Sequence, residues 1–144
     1  MELIAILQDG RLEKPLDRLP AEAAAVLDGT VQLYRAAGFV APWIAYLAVE
    51  EGACVGTCAF KSPPRDGCVE IAYYSFAEGR GVATRMASAL VDIASQSAPG
   101  LAVKAQTLPN ESASTAVLRK LDFELLGPVE HPEDGTVWEW QRRS

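Results

Sequence analysis

The chain has 144 residues, of which 49% are apolar, and its formal net charge of −6 corresponds to a pI near 4.8. A chain of this length can bury a core that needs no disulfide or metal, so we expect one domain over residues 1–144. The apolar fraction argues against a disordered protein, and the acidic balance argues against a surface that binds nucleic-acid phosphates.

The first half of the chain predicts a short strand, two short helices and an antiparallel meander. Residues 20–27 begin with a proline and predict a helix that ends at Asp28-Gly29, and residues 30–38 predict a second helix. Apolar segments separated by turns of Asp, Glu, Gly and Pro predict the strands. These strands are residues 3–7, 44–49, 53–61 and 68–74.

The second half of the chain predicts a β-α-β unit, a short helix and a hairpin. Apolar residues spaced three and four apart between positions 82 and 94 predict one face of a long helix. The other predicted elements are a strand at 101–107, a helix capped by Ser112 or Ser114, and a hairpin of 123–126 with 137–141. The strands before and after the long helix are expected to pair in parallel within an otherwise antiparallel sheet, which gives an α/β fold.

A turn that carries two glycines joins the strand at 68–74 to the long helix. Gly79 and Gly81 lack the side chain that would keep an anion away from the backbone, and the first N–H groups of a helix have no backbone partners. A pyrophosphate would fit such a turn, and the alternative is an ordinary tight strand-to-helix connection. It is neither a P-loop nor a dinucleotide fingerprint, because no Gly-Lys-Ser/Thr follows and Thr84 stands where the latter has Gly or Ala.

Glu70 is the acidic residue that the strand pattern places beside this turn. It alternates with Val69 and Ile71, so its carboxylate is expected on the opposite face of the sheet from these two apolar side chains. A partly desolvated carboxylate there can accept a proton from an amine. The alternatives are a solvated strand face and an ion pair.

The cysteine and histidine content argues against a metal site. The three cysteines are Cys54, Cys58 and Cys68. They show no Cys-x-x-Cys spacing, so we expect reduced core residues, and the single histidine, His131, excludes a site that needs two imidazoles. The start Met1-Glu2 lacks the basic flank of a secretory signal, and the apolar run at 36–49 is too short for a membrane span, so a cytoplasmic location is expected.

Two segments together resemble the GCN5-related N-acetyltransferase (GNAT) superfamily. The family signature Gln/Arg-x-x-Gly-x-Gly/Ala is similar to residues 78–83, except that Glu78 stands where the family has Gln or Arg. Residues 107–123 look like the family's Asn-Ala-Ser and Leu-Glu-Lys-Leu-Gly-Phe blocks. The resemblance covers essentially the whole chain and is nearest to the ribosomal-protein-alanine and antibiotic-modifying acetyltransferases.

The resemblance implies a mostly antiparallel central sheet with flanking helices and one splayed parallel strand pair, where acetyl-CoA binds as co-substrate without a metal. It implies that backbone N–H groups near Tyr74 and Ser75 hold the thioester oxygen. It also implies that an amine attacks the thioester directly and that Glu70 takes the amine proton. The residues that it assigns to the cofactor are Tyr74, Ser75, Glu78, Gly79, Arg80, Gly81, Val82, Ala83 and Thr84, with Asn110 or Ser112 before the last helix.

Some positions depart from the family pattern. Leu118 stands where the family often has a tyrosine that protonates the leaving thiolate, so this role is left to Ser114, Tyr73 or solvent. Glu78 brings a negative charge toward the phosphates, and the turn before it is shorter than usual, so weaker cofactor binding is expected. Asp122 replaces a glycine at a helix end that favours a positive φ.

The tryptophans and the histidine have simple structural explanations. Trp138 and Trp140 share one face of the last strand and are expected in the core, with a substrate contact as the alternative. Trp43 lies in a loop that borders the amine side in the family, so packing and an acceptor contact are both open. His131 is expected to be a residue of the hairpin turn.

The function expected is transfer of an acetyl group to a primary amine of a small molecule or a protein N-terminus, by a monomer or homodimer. The negative net charge favours cationic acceptors through electrostatic steering. The alternatives are a non-catalytic acyl-CoA-binding sensor and an interaction module on the same fold. No nucleic-acid or membrane partner is expected.

Overall fold

A seven-stranded sheet and three helices make up residues 1–143, the part of the chain that this computed structural model describes. The strands are β1 (Glu2–Ala5), β2 (Ala45–Glu50), β3 (Ala53–Phe60), β4 (Cys68–Ser75), β5 (Ala102–Thr107), β6 (Glu124–His131) and β7 (Gly135–Arg143). The helices are α1 (Ala21–Ala37), α2 (Val82–Ser97) and α3 (Ala113–Lys120). Within these residues no helix is both long enough and apolar enough to cross a membrane.

The helix α1 is continuous, so the two short helices predicted on either side of Asp28-Gly29 are wrong. A glycine inside a helix costs about 1 kcal/mol relative to alanine, which tertiary packing can outweigh. The packing here includes Tyr34, whose hydroxyl donates to the Ile6 carbonyl at 2.7 Å and accepts from the Ala45 N–H at 2.9 Å. These two bonds join α1 to the segments of β1 and β2, and they hold the helix in one piece across the glycine.

The sheet order is β1-β2-β3-β4-β5-β7-β6, and the pair β4–β5 alone is parallel among the strands described. The parallel pairing is short, since only Cys68 to Glu70 of β4 face Ala102 to Lys104 of β5. Beyond that point β4 continues to pair with β3, and β5 continues to pair with β7. The two central strands therefore part, and the expected β-α-β unit with a splayed parallel pair is confirmed.

The two faces of β4 have different surroundings. Paired residues of antiparallel strands share a face, so Gly56 and its partner Ser75 lie on one side, and a Cβ at Gly56 would point at Met86 of α2. Alternation along β4 puts the buried Val69 on this same α2 side. Glu70 lies on the opposite side, as predicted.

The closing hairpin is longer than the predicted segments 123–126 and 137–141. The two strands stay paired up to the turn at residues 132–134. Polar residues form the last pairs, and the Thr136 hydroxyl donates to the Glu130 carboxylate at 2.5 Å. His131 lies at the turn, and its Nδ1 accepts from the N–H groups of Glu133 and Asp134, both at 3.1 Å. The expectation that His131 is a turn residue is confirmed.

The short helix α3 packs against α2 and against Trp140 of β7. Ser112 is its N-cap, with a reciprocal hydrogen-bond pair between Ser112 and Thr115. The Arg119 guanidinium lies 5.0 Å from the ring centre of Trp140, which is fully buried and donates to Thr107 Oγ1 at 3.0 Å. This packing holds the first turn of α3 beside the gap between β4 and β5.

Candidate functional site

Two cavities meet where β4 and β5 part. The first, which we call the loop cavity, has a volume of about 500 Å³ and lies between the end of β4, the turn before α2 and the first turns of α2 and α3. The second, the splay cavity, has a volume of about 110 Å³ and lies between β4 and β5. Tyr73 and Ser114 line both cavities, so the two cavities are adjacent at these residues.

The turn before α2 presents backbone N–H groups to the loop cavity. Gly79 and Gly81 have φ values of 76° and 71°, in the left-handed region that glycine adopts without strain. Gly81 is the N-cap of α2, no side chain caps this helix, and its first turn carries no acidic residue. The N–H groups of the first turn therefore have no partner within the helix, and they carry the positive end of its dipole. This arrangement suits an anion.

Arg85 anchors this turn to the sheet. Its Nη1 donates to the Arg80 carbonyl at 2.9 Å, and its Nε and Nη2 donate to the two carboxylate oxygens of Glu50 at 2.6 and 2.7 Å. The Arg85 guanidinium in turn holds the pKa of Glu50 below its usual range. Sequence reasoning missed this contact, because Glu50 and Arg85 are far apart in the chain and only the sheet brings them together.

The backbone of β4 determines which N–H groups face the gap. Lys61 N–H donates to the Glu70 carbonyl at 2.8 Å, and Phe76 N–H donates to the Val55 carbonyl at 2.8 Å. Because hydrogen-bonding direction alternates along a strand, even-numbered residues of β4 face β3 and odd-numbered residues face β5. The N–H groups of Tyr73 and Ser75 therefore point into the gap, whereas that of Tyr74 points to β3.

Glu70 lines the splay cavity and is also paired with a lysine. Its Oε2 lies 2.8 Å from Lys61 Nζ, which is an ion-pair distance, but the approach is not aligned for a hydrogen bond. Oε2 is itself buried and has no hydrogen-bond partner within residues 1–143. Glu70 thus combines two of the alternatives raised by the sequence, since it forms an ion pair and it also borders the cavity.

Tyr73 and Ser114 lie together at the junction of the cavities. The Tyr73 hydroxyl donates to the Ser114 carbonyl at 3.4 Å, a long hydrogen bond. Burial raises the pKa of Tyr73 to about 12, so its phenol is protonated at neutral pH. Leu118, by contrast, is fully buried in the core and offers no titratable group. The phenol thus carries a proton at this position, and its role as the acid for the leaving thiolate stays a prediction.

The family model for the acetyltransferase (GNAT) domain matches residues 1–124. The chain belongs to this family. Solved structures of ribosomal-protein acetyltransferases share its fold. A search of curated proteins finds no match.

Three solved GNAT structures show the likeness. RimL, a ribosomal L7/L12 α-N-protein acetyltransferase in complex with coenzyme A, is 20% identical with a TM-score of 0.66 over 85% of this chain and 71% of its own. The ribosomal-protein-alanine N-acetyltransferase of Brucella melitensis is 19% identical with a TM-score of 0.64 over 85% of this chain and 78% of its own. The putative acetyltransferase yncA of Salmonella typhimurium, solved with acetyl-CoA, is 20% identical with a TM-score of 0.64 over 81% of this chain and 73% of its own.

Most of the residues that the sequence assigned to a cofactor line the loop cavity of this GNAT domain. They are Tyr74, Ser75, Glu78, Gly79, Gly81, Val82, Ala83 and Thr84. Arg80, Asn110 and Ser112 do not line it: Arg80 borders a separate groove with Glu50, Asn110 is exposed before α3, and Ser112 caps that helix. The contacts of these three residues with a cofactor stay predictions.

Other conspicuous residues of the GNAT domain have packing roles. Trp43 packs edge-on against Phe60 with ring centres 5.0 Å apart, and Trp138 packs against Trp140 at 6.5 Å. The cysteines are free: Cys58 is buried in the core and Cys54 is half-buried against it, whereas the expectation of a core position for Cys68 is wrong. Cys54 and Cys68 both lie half-buried at the ends of strands. Residues 1–143 contain no group of three His, Cys, Asp or Glu side chains placed to hold a metal ion.

Proposed function

We propose that the protein is an acetyl-CoA-dependent N-acetyltransferase that transfers the acetyl group directly to a primary amine. Membership of the acetyltransferase (GNAT) family supports acyl transfer. The observation that carries the proposal is that the two cavities are adjacent, since Tyr73 and Ser114 line both the cavity at the start of α2 and the cavity lined by Glu70. A phosphate site, a proton acceptor and a proton donor thus lie in two adjacent cavities.

The loop cavity fits the cofactor. Its volume of about 500 Å³ falls within the roughly 300–1,000 Å³ common for small-molecule sites. The uncapped start of α2 suits the pyrophosphate, and a Cβ at Gly79 would meet nothing within 4 Å, so phosphates can approach the backbone there. Glu78 also lines this cavity and opposes the phosphates, so the affinity is expected to be lower than with Gln or Arg at that position.

Different groups of the chain carry out the steps of acetyl transfer. Bound acetyl-CoA supplies the activated thioester. The N–H groups of Tyr73 and Ser75 face the gap and are the groups placed to hold the thioester oxygen as negative charge develops on it. Glu70 takes the proton of the incoming amine, and Tyr73 donates a proton to the leaving thiolate.

The acceptor is proposed to be a protein N-terminus or a small-molecule amine. Relatives named for acetylation of ribosomal proteins and of aminoglycosides support these two classes. The net charge of −6 favours a cationic acceptor through steering. The protein is proposed to act as a monomer or homodimer.

A non-catalytic acyl-CoA-binding module is the rival function. Two observations favour it: the buried Leu118 leaves no acid on α3, and Glu78 lines the cavity meant for phosphates. Both functions require the cofactor to bind. They differ in turnover, because an enzyme releases CoA when an amine is present and a sensor does not.

Calorimetric titration with acetyl-CoA, CoA and NADH tests the cofactor, with Gly79→Glu and Gly100→Glu as a matched pair. Both glycines have positive φ, 76° and 85°, and both have open space where a Cβ would lie, so the two variants carry the same charge and similar strain. Of these two glycines, Gly79 lines the loop cavity and Gly100 does not. A charge about 4 Å from a phosphate costs about 1–4 kcal/mol across effective dielectric constants of about 80 to 20, so we expect roughly five- to a thousandfold weaker binding in Gly79→Glu alone.

The outcomes separate the candidate functions. Binding of CoA and acetyl-CoA but not NADH, weakened in Gly79→Glu and retained in Gly100→Glu, supports the cofactor site. Release of CoA with any member of a panel of peptide N-termini, polyamines and aminoglycosides then supports the enzyme. Binding without release across the panel supports the sensor, and absence of CoA binding contradicts both.

A further inference from the structure

A lysine of the chain itself contacts the candidate base. Lys61 Nζ lies 2.8 Å from Glu70 Oε2, and both side chains line the splay cavity together with Tyr73 and Ser114. A cavity of about 110 Å³ corresponds to about four water molecules of about 30 Å³ each. The groups around it are therefore within one side chain's reach of one another, and Lys61 contacts the carboxylate that the proposed function assigns as base.

The Lys61 amine is partly exposed. Its side chain is 43% exposed, and its approach to Glu70 Oε2 lacks the alignment of a hydrogen bond. Oε2 is buried and has no hydrogen-bond partner within residues 1–143, and its ion-pair contact is with Lys61 Nζ. An unbranched side chain with several rotatable bonds can turn its Nζ within the cavity without moving the backbone.

The other lysines lack this combination. The chain has four lysines, namely Lys14, Lys61, Lys104 and Lys120. Lys104 is the register partner of Glu70 on β5, but its Nζ is paired with Glu139 at 3.0 Å and it does not line the splay cavity. Lys14 is paired with Glu2, and both Lys14 and Lys120 are exposed. Lys14 and Glu2 line a different groove, so within residues 1–143 Lys61 is the lysine that lines the splay cavity and contacts Glu70.

We propose that Lys61 is an internal acetyl acceptor, so that the protein acetylates its own Lys61 Nζ from bound acetyl-CoA. This inference rests on the proposed function. Glu70 takes one proton from the Lys61 ammonium, and the neutral Nζ forms a bond to the thioester carbonyl carbon. The C–S bond breaks, and its electron pair leaves with sulfur. Nζ then loses a second proton, and one proton reaches sulfur through Tyr73 or solvent. The products are acetyl-lysine and CoA thiol. The proton that Glu70 accepted is released to solvent.

Acetylation of Lys61 changes the site that performs it. The ammonium becomes a neutral amide, so the ion pair with Glu70 is lost. The added acetyl group also occupies part of a cavity of only about 110 Å³. Each chain can therefore react once at this position, and the modification limits later turnover. An amine acceptor that occupies the cavity first competes with Lys61 and protects it.

The test is incubation of the full chain with acetyl-CoA and no added amine, followed by intact mass and peptide mapping. We expect one acetyl group per chain, at Lys61, with a rate constant that does not depend on protein concentration. Glu70→Gln should slow this reaction at least tenfold, and Lys61→Arg should abolish it while keeping the positive charge. Lys104→Arg is the matched control and should be acetylated at Lys61 like the wild type.

The results that overturn the inference are distinct from failure of the proposed function. Acetylation spread over the exposed Lys14 and Lys120, and unchanged in Glu70→Gln, would be chemical modification and would contradict it. The same samples are titrated with CoA and tested on the amine panel. CoA binding and amine turnover with an unmodified Lys61 would refute internal acetylation and leave the proposed function standing, whereas absence of CoA binding would refute both.

Discussion

A methyl group added at Gly56 should destabilise the protein, whereas the same group added at Gly29 should stabilise it. A Cβ at Gly56 would lie 2.8 Å from Met86 Sδ and 2.8 Å from the carbonyl oxygen of Tyr74. The methionine can move, but the Tyr74 carbonyl is part of the β3–β4 ladder and cannot move without disturbing it. At Gly29, inside α1, nothing lies within 4 Å of the added atom.

The two changes therefore differ in sign. Overpacking of a close sheet-to-helix contact costs about 1–3 kcal/mol, and replacement of a glycine by alanine inside a helix gains about 0.5–1 kcal/mol. The free energies of unfolding of Gly56→Ala and Gly29→Ala should thus differ by roughly 1.5–4 kcal/mol. In a domain of this size about 1 kcal/mol corresponds to about 4 °C in Tm.

Urea denaturation followed by tryptophan fluorescence measures both variants against the wild type. Because the shifted carbonyl belongs to Tyr74, which lines the loop cavity, Gly56→Ala should also raise the KM for acetyl-CoA, and Gly29→Ala should not. A Gly56→Ala protein as stable as the wild type would refute the close approach of β3 to α2. A destabilised Gly29→Ala protein would refute the account of α1.

Three further predictions concern the core, the pH dependence and the proton donor. Trp140→Phe loses the bond to Thr107 and should lower the free energy of unfolding by about 1–3 kcal/mol, measured in urea. The hydrogen bonds from Arg85 lower the pKa of Glu50 from 4.5. The ion pair therefore stabilises the fold fully above pH 4.5, and this stabilisation is lost as the pH falls through the lowered pKa. Glu50→Gln should make the free energy of unfolding less dependent on pH in that range. Tyr73→Phe should lower kcat by roughly 10²-fold, and an unchanged kcat would assign thiolate protonation to solvent.

The strand and helix pattern was largely accessible from the sequence because short-range signals dominate it. The turns around Gly52 and Gly67 separated the strands of the meander, and the apolar spacing from Val82 onward identified α2. The error in α1 has a physical cause, since Asp28-Gly29 is a local breaker and tertiary contacts, including those of Tyr34, overcome it. The length of the closing hairpin was missed because polar residues on an edge strand carry no apolar alternation.

The site was predictable where it depends on one continuous segment. The turn with Gly79 and Gly81 leads directly into α2, so its role could be inferred from spacing and from the resemblance. Lys61 was missed as a neighbour of Glu70 because their contact depends on the β3–β4 register. Antiparallel pairing of the predicted strands 53–61 and 68–74 across the turn between them would have placed Lys61 opposite Glu70.

The most direct test of the account is the rate of CoA release by the wild type, Glu70→Gln and Glu139→Gln at saturating acetyl-CoA and a fixed amine. Both glutamates pair with a lysine on the same face of the sheet, but only Glu70 lines the splay cavity. The account predicts that Glu70→Gln lowers kcat by about 10²-fold or more without changing the Kd for CoA, while Glu139→Gln keeps the wild-type rate. An unchanged kcat in Glu70→Gln would contradict it.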